Sequence, residues 1–310
     1  MKLAFVLDPL ERLKAYKDSS IAMMREAARR GHEIHAFEAR SMFVRDASVH
    51  TRAWRLSIDE DDNWYDVTAE DDVRLAAFDR VMMRKDPPFD QEYYYATLLL
   101  ERAEAEGARV VNSPRALRDW NEKLAILRFP RFTPPTLVAS AMDRIHAFID
   151  EHGDVVVKKL DGMGGTMIFR VRADDPNRNV IVETITDDGA RTVMAQRYLP
   201  EIARGDKRVL VIDGKPFSHC LARIPKAGET RGNLAAGGRG VAQPLGARDR
   251  EIGEAVGAEL VRAGIVFAGL DVIGDSLTEV NVTSPTCIVE IAEQTGHNAA
   301  RDLLDVLERD

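Results

Sequence analysis

Cysteine is scarce in this chain: 310 residues carry two, Cys220 and Cys287, far apart and outside any CxxC pair. That excludes a disulfide framework and a zinc knuckle, and it fits a reducing cytoplasm. Long apolar runs are missing as well. The opening KLAFVLD is too short for a signal-peptide core, and GIVFAGLDVIG, which begins at Gly264 and is the longest run, is too short to span a bilayer. No membrane segment is therefore expected. Nor is there a basic excess, since 43 Lys and Arg stand against 51 Asp and Glu for a net charge of −8. Nucleic-acid binders depend on clustered cations, so a nucleic-acid partner is not expected and an anionic ligand needs a local basic pocket. Solenoid-period repeats and low-complexity tracts are also lacking, which predicts a chain folded nearly end to end. What is there, 45% apolar and 30% charged residues, suffices for a sizeable core spread over two or three domains.

KLAFVLD reads as a buried strand, SSIAMMREAARRG as a capped amphipathic helix stopped at Gly31, and HEIHAFEA as a second strand. The alternation resumes with the strand RVMMRKD, the helix QEYYYATLLLERAEAEG and the strand ARVVN. SPRALRDWNEKLAIL then reads as one helix, with Ser113 as N-cap and Pro114 at its first position. Alternating strands and helices predict a parallel sheet with helices on its faces. FPRFTPPT, residues 129–136, reads as a linker, because each proline restricts its own backbone and that of its predecessor. Beyond it, a strand near Thr136, a helix over Asp143–His152, and the strands DVVVKKL and MIFRV flanking DGMGGT predict a small α+β unit. A third section holds the strands KRVLVID and KPFSHCLARI and the segment PKAGETRGNLAAGGRG. Its glycines, Gly228, Gly232, Gly237, Gly238 and Gly240 with Gly246 nearby, predict a mobile surface loop. A helix from about Arg248 to Ala263, the strands IVFAGLDVIG and SLTEVNVT, and a last helix from about Asn298 complete the chain.

The chemistry gathers in a few places. Glu279 and Asn281 lie two residues apart in TEVNV and share one strand face, with Val280 and Val282 on the other. They are either the wet side of a half-buried strand or donors to a hard cation. Asp271, on a strand expected to pair with theirs through the turn GDS, adds a third oxygen ligand across the hairpin. Two carboxylates and an amide, with no His or Cys nearby, suit Mg²⁺ with bound phosphates rather than zinc. DGMGGT, Asp161 to Thr166, is either a tight hairpin or a cradle of backbone amides for an anion, and it fits neither GxxxxGK[ST] nor GxGxxG. Lys158, inside an apolar strand, and Lys123, in WNEKLAIL, each need a partner or the solvent for their ammonium groups. Arg84, Arg208, Arg223 and Arg231 offer guanidinium forks that grip carboxylate or phosphate oxygens in pairs.

Taken in order, MRKDPPFD, ALRDWNEKL, LDGMGG, DKRVLV, LARIPKAGETRGNLAAGGRG, GLDVIGD and EVNVTSPTC closely resemble bacterial glutathione synthetase of the ATP-grasp superfamily, from the first strand to about Glu290. The resemblance implies a mixed α/β and α+β architecture with an ATP-grasp fold. Residues 1–121 would form an N-terminal parallel-sheet (pre-ATP-grasp) domain, 122–200 a central lid, and 201–310 a C-terminal domain with the metal site and the glycine-rich loop. It implies ATP-dependent ligation of γ-glutamylcysteine with glycine through an acyl phosphate, giving glutathione, ADP and phosphate, in a cytoplasmic homotetramer. By position it assigns Lys123, Lys158, Asp161, Gly162, Met163, Gly164 and Gly165 to ATP, Gln196, Tyr198 and Leu199 to the adenine hinge, and Asp206 to the nucleotide's surroundings. It gives Asp271, Glu279 and Asn281 two Mg²⁺ ions, for which Mn²⁺ is a possible substitute, and Arg208 and Arg223 the acyl phosphate and tetrahedral intermediate. Arg84, Arg231, Ser284 and Thr286 would orient the peptide while residues 224–240 close over it against water. Lys159 departs from the family's usual proline, CIVEI replaces the commoner CIREI, and the stretch from Glu293 matches poorly. Rival readings are a nucleotide-binding module without turnover and a sister ligase for other amino acids. The joint presence of Asp271, Glu279, Asn281, Arg208 and Arg223 speaks against the first, and TRGNLAAGGRG against the second.

Overall fold

The computed structural model describes residues 1–229, 231–234 and 237–309; Thr230, Ala235 and Ala236 of the glycine-rich loop, and Asp310, lie outside the described residues. The chain opens with β1 (Lys2–Leu7), α1 (Ser19–Arg29) and β2 (Glu33–Glu38). Asp18 caps α1 by accepting the amides of Ser20 and Ile21. Next come β3 (Met42–Arg45), β4 (Ser48–Ile58) and β5 (Tyr65–Arg74), then β6 (Arg80–Met83), α2 (Gln91–Ala105) and β7 (Val110–Val111). The strands form one sheet in the order β3-β4-β2-β1-β6-β7, with β5 paired to β4. The expected parallel arrangement holds for β2, β1, β6 and β7. The antiparallel meander of residues 42–74 is not predicted from sequence. Its outer strand, YDVTAEDDVR, is exposed along most of its length and has no apolar alternation to announce it.

The helix predicted over SPRALRDWNEKLAIL is broken. α3 (Pro114–Asp119) stops at Trp120, and a short 3₁₀ helix resumes at Leu124. Asn121 causes the restart, because its Oδ1 accepts the amides of Lys123 and Leu124 and competes with helical bonding. β8 (Thr136–Ala139), α4 (Met142–His152), β9 (Asp154–Lys159), β10 (Ile168–Arg172), α5 (Arg178–Thr186) and β11 (Val193–Arg197) follow. They build an antiparallel sheet, β10-β9-β11-β8, over a core that includes Ile145, Ile149, Val155, Val157 and Ile185.

The last section comprises β12 (Asp206–Ile212), β13 (Lys215–Ile224), β14 (Arg239–Pro244), α6 (Ala247–Arg262), β15 (Phe267–Ile273), β16 (Ser276–Asn281), α7 (Ile288–Thr295) and α8 (Ala299–Leu307). Its sheet runs β14-β13-β12-β15-β16 and is antiparallel throughout. The end of the glycine-rich segment is therefore strand rather than loop, with Gly240 opposite Arg223. A Cβ at Gly240 would lie 3.1 Å from Leu221 Cδ2, so a small residue suits that pairing. Asn112 joins the first sheet to this one: its Nδ2 donates to the carbonyls of Phe267 and Val282, and its Oδ1 accepts the amides of Val266 and Phe267. Leu100, Trp120, Ile126, Val209, Leu270 and Val280 belong to one buried cluster that spans the same junction.

Candidate active site

A cavity of about 490 Å³ is lined by residues of the second and third sheets and by residues of the first section such as Lys17, Asp18 and Asp86. Of the residues expected in the site, Lys123, Lys158, Gly162, Met163, Gly164, Gly165, Gln196, Tyr198, Leu199, Asp206, Arg208, Arg223, Arg231, Asp271, Glu279, Asn281, Ser284 and Thr286 line it. Asp161 and Arg84 do not. Asp161 is exposed beside the glycine turn. Arg84 lies buried behind the wall, donating from Nε to Ser20 Oγ at 3.0 Å and from Nη2 to the Pro285 carbonyl at 2.9 Å. Its position there supports the chain around Pro285 instead of presenting a guanidinium to the cavity.

Strand geometry accounts for the charged floor. Asp206 and Arg208 are two residues apart on β12, so they share a face, while Val209, Leu270, Val272 and Val280 are buried. Register places Asp206 opposite Arg223, Arg208 opposite Asp271, Asp271 opposite Glu279, and Gly269 opposite Asn281. Arg208 Nε donates to Asp271 Oδ1 at 2.6 Å, and Arg223 Nη2 reaches Asp271 Oδ2 at 2.9 Å. Burial alone would raise the Asp271 pKa, but the two guanidinium groups outweigh it and hold the carboxyl well below the ordinary range. Arg223 Nη2 also donates to Asp206 Oδ2 at 2.5 Å, yet burial pushes the Asp206 carboxyl up to about 7.

A second cluster sits beside the first. Lys123 Nζ lies 3.3 Å from Glu279 Oε1 and donates to the Gly162 carbonyl at 2.6 Å. Lys158 Nζ lies 3.7 Å from the same carboxylate oxygen and donates to the Thr278 carbonyl at 3.2 Å. Burial disfavours charge on both lysines. It lowers the Lys158 pKa, whereas Glu279 and Glu122 outweigh it at Lys123. Glu279 is held below its ordinary range because Lys123 and Lys158 outweigh its own burial. Four buried cations thus surround Asp206, Asp271 and Glu279 inside an acidic protein, which is the local basic pocket that an anionic ligand requires.

Asp271, Glu279 and Asn281 form an oxygen-only donor set, and Asn281 spends its Nδ2 on the Gly269 carbonyl at 3.1 Å, which leaves its amide oxygen for a cation. The set fits Mg²⁺ in chemistry. Arg231 pairs with Glu229 at 2.7 Å and donates from Nη1 to the Gly165 carbonyl at 3.3 Å, tying the glycine-rich segment to the glycine turn. Sequence reasoning missed Lys17, Asp18, Asp86, Glu122, Asn233 and Glu290, which also line the cavity. Glu122 stands beside Lys123 in WNEKL, and Asp86, Asn233 and Glu290 stand inside MRKDPPFD, LARIPKAGETRGNLAAGGRG and CIVEI, so their motifs are recognised without a role for them; Lys17 and Asp18, just before α1, have no such signal.

The model for the ATP-grasp domain of prokaryotic glutathione synthetase matches residues 122–296, and the model for that family's N-terminal domain matches residues 1–118. The chain is 56% identical over 313 residues to glutathione synthetase from Nitrosomonas europaea, covering 100% of this chain and 98% of that one. It is 52% identical over 310 residues to glutathione synthetase from Vibrio parahaemolyticus, again covering 100% and 98%. Among solved structures, D-cycloserine synthetase DcsG is similar with a TM-score of 0.70 at 17% identity, over 100% of this chain and 99% of that one. ATP-grasp ligase PsnB, complexed with a minimal precursor, Mg and ADP, is similar with a TM-score of 0.62 at 18% identity, over 99% and 97%. These two likenesses show the ATP-grasp fold. The family models and the full-length identities show that the chain belongs to the prokaryotic glutathione synthetase family.

Proposed function

We infer that the chain is an ATP-dependent carboxylate–amine ligase that joins γ-glutamylcysteine to glycine, and that the cavity is where it does so. The single observation that carries the site assignment is the gathering of buried Arg223 and Arg208 from the last sheet with buried Lys158 and Lys123 beside the glycine turn that follows β9. In this reading the cysteinyl carboxylate of the dipeptide attacks the γ-phosphorus of ATP and ADP leaves. The amine of glycine then attacks the acyl phosphate, a proton is lost from nitrogen, and phosphate leaves as the amide forms. Lys123, Lys158 and the amides of Gly162 to Gly165 hold the phosphates, and Gln196, Tyr198 and Leu199 receive the adenine. Arg208 and Arg223 neutralise charge on the acyl phosphate and on the oxyanion of the tetrahedral intermediate. Asp271, Glu279 and Asn281 would hold Mg²⁺, which supplies charge neutralisation at the phosphates. Ser284 and Thr286 contact the dipeptide, and Arg231 with its loop excludes water that would hydrolyse the acyl phosphate.

The test is ADP release with each substrate omitted in turn and with alanine in place of glycine. Release that needs both γ-glutamylcysteine and glycine supports the reading, and release with ATP alone at the same rate overturns it. Two bound ions, tolerance of Mn²⁺, units bounded at 1–121, 122–200 and 201–310, a cytoplasmic setting and a homotetramer belong to the same proposal. The two buried free thiols support the reducing compartment, and the exposed Tyr94, Tyr95 and Leu98 on α2 support self-association. Among the described residues no helix is long and apolar enough to cross a membrane. Sedimentation equilibrium that returned the mass of a single chain would remove the tetramer.

A further inference from the structure

We propose that Glu122 is a positioning residue that sets the chain leaving β16 against the lysine and glycine turn assigned to the nucleotide; this rests on the reading of Ser284 and Thr286 as dipeptide contacts. The break in the helix after Trp120 presents three successive side chains from irregular backbone, and they go three ways. Asn121 Nδ2 donates to the Leu160 carbonyl at 3.2 Å, just beyond β9. Lys123 reaches Gly162 in the glycine turn and Glu279 on β16. Glu122, between them, directs its carboxylate at the strand end. Its Oε1 accepts the Val282 amide at 3.0 Å, the Thr283 amide at 3.2 Å and the Thr283 hydroxyl at 2.8 Å. Its main-chain carbonyl also accepts the Val280 amide at 2.9 Å.

Sheet pairing of β16 with β15 ends at Asn281, so the residues leading on to Ser284 lack the ladder that holds Glu279 and Asn281 in register. Glu122 substitutes for that ladder. One oxygen taking three donors fixes the direction in which the chain leaves the strand, and a carboxylate makes such bonds stronger than a neutral acceptor would. The side-chain bonds of Glu122 go to the peptide side of the cavity, whereas the nucleotide side is held by Lys123 and the glycine turn. Loss of the carboxylate should therefore displace Ser284 while leaving the phosphate contacts in place, and displacements of about 1 Å in such a site are costly.

The experiment is steady-state kinetics of the full chain with ATP, γ-glutamylcysteine and glycine. Glu122→Ala is expected to raise KM for γ-glutamylcysteine about tenfold while KM for ATP changes less than about twofold. Glu122→Gln keeps an acceptor oxygen and should recover the dipeptide KM to within about threefold. Thr283→Val should reproduce part of the rise in the wild-type background and add nothing to Glu122→Ala. An equal rise in both constants, no rescue by glutamine, or additive effects of the two substitutions would overturn the proposal. Ser284→Ala separates the two layers: if it leaves the dipeptide KM unchanged, the peptide-site reading falls and the proposal with it. If it raises that KM while Glu122→Ala does not, only the positioning role falls. Should Glu122→Ala not fold, Thr283→Val decides alone, a selective rise supporting the role and no rise ending it.

Discussion

Glu279 neutralises Lys123 and Lys158 at once, so its removal has two consequences. It takes a donor from the proposed cation site, and it leaves two buried ammonium groups facing each other. Glu279→Ala adds a cavity to both effects, whereas Glu279→Gln keeps the volume and removes only the charge. We expect Glu279→Gln to lower kcat by at least about a thousandfold at saturating Mg²⁺ and ATP, read as ADP release. The same variant should lose about 3 kcal/mol of stability in urea, because breaking a buried pair leaves uncompensated charge. Asp206 supplies the pH dependence. Its carboxyl is lifted from the ordinary 3.8 to about 7, so the folded state binds the proton more tightly than the unfolded chain does. That contribution to stability is complete below about pH 4 and is lost as the pH rises through about 7. The wild-type unfolding free energy should therefore fall between pH 5 and pH 8 by an amount missing from Asp206→Asn. Equal slopes for the two proteins in urea titrations would contradict this.

At the scale of elements, the floor of the site depends on a glycine in β15. A Cβ at Gly269 would stand 2.8 Å from Arg208 Cδ and 2.9 Å from Pro285 Cβ, so Gly269→Ala must push Arg208 off Asp271 or displace the loop after β16. Overpacking of this kind costs about 1–3 kcal/mol, and we expect kcat to drop at least about tenfold with the melting temperature lowered by a few degrees. The glycine-rich segment and the glycine turn meet through Arg231 and the Gly165 carbonyl. Arg231→Ala should raise phosphate release relative to glutathione formed, measured in one reaction mixture, and an unchanged ratio would remove the water-exclusion role. Elements were legible where their pattern is local: the amphipathic SSIAMMREAARRG of α1, Pro114 opening α3, and the stretch Asp143–His152 that lies in α4. β5 was not legible, because an exposed edge strand is defined by its partner rather than by its own residues. The break at Trp120 was not legible because Asn121 interrupts a helix only where its side chain finds the amides of Lys123 and Leu124.

Across the whole molecule, Asn112 carries the junction of the first and last sheets with four bonds to main-chain groups more than 150 residues away. Asn112→Ala leaves those buried groups unpaired, and we expect a loss of about 3 kcal/mol in urea-induced unfolding, with the cavity's residues losing register and activity falling in parallel. A variant of wild-type stability would show that Asn112 does not carry the junction. The placement of Ser284 and of Arg84 behind the wall follows from this docking, since Pro285 is held from the first section through Arg84. The sequence by itself determined that Glu279 and Asn281 share a face, since backbone pleating alternates sides whatever the surroundings; that Asp206 joins Arg208 on β12 was not read from it, because the expected strand began at Lys207. The sequence also determined the chemistry available, oxygen donors and guanidinium groups without histidine or thiolate. Only the tertiary structure decided that β12 lies between β13 and β15, so that Arg208 and Arg223 share one carboxylate, and that Glu122 meets Thr283. Those choices rest on burial summed over distant segments, a quantity that no short stretch of the chain contains.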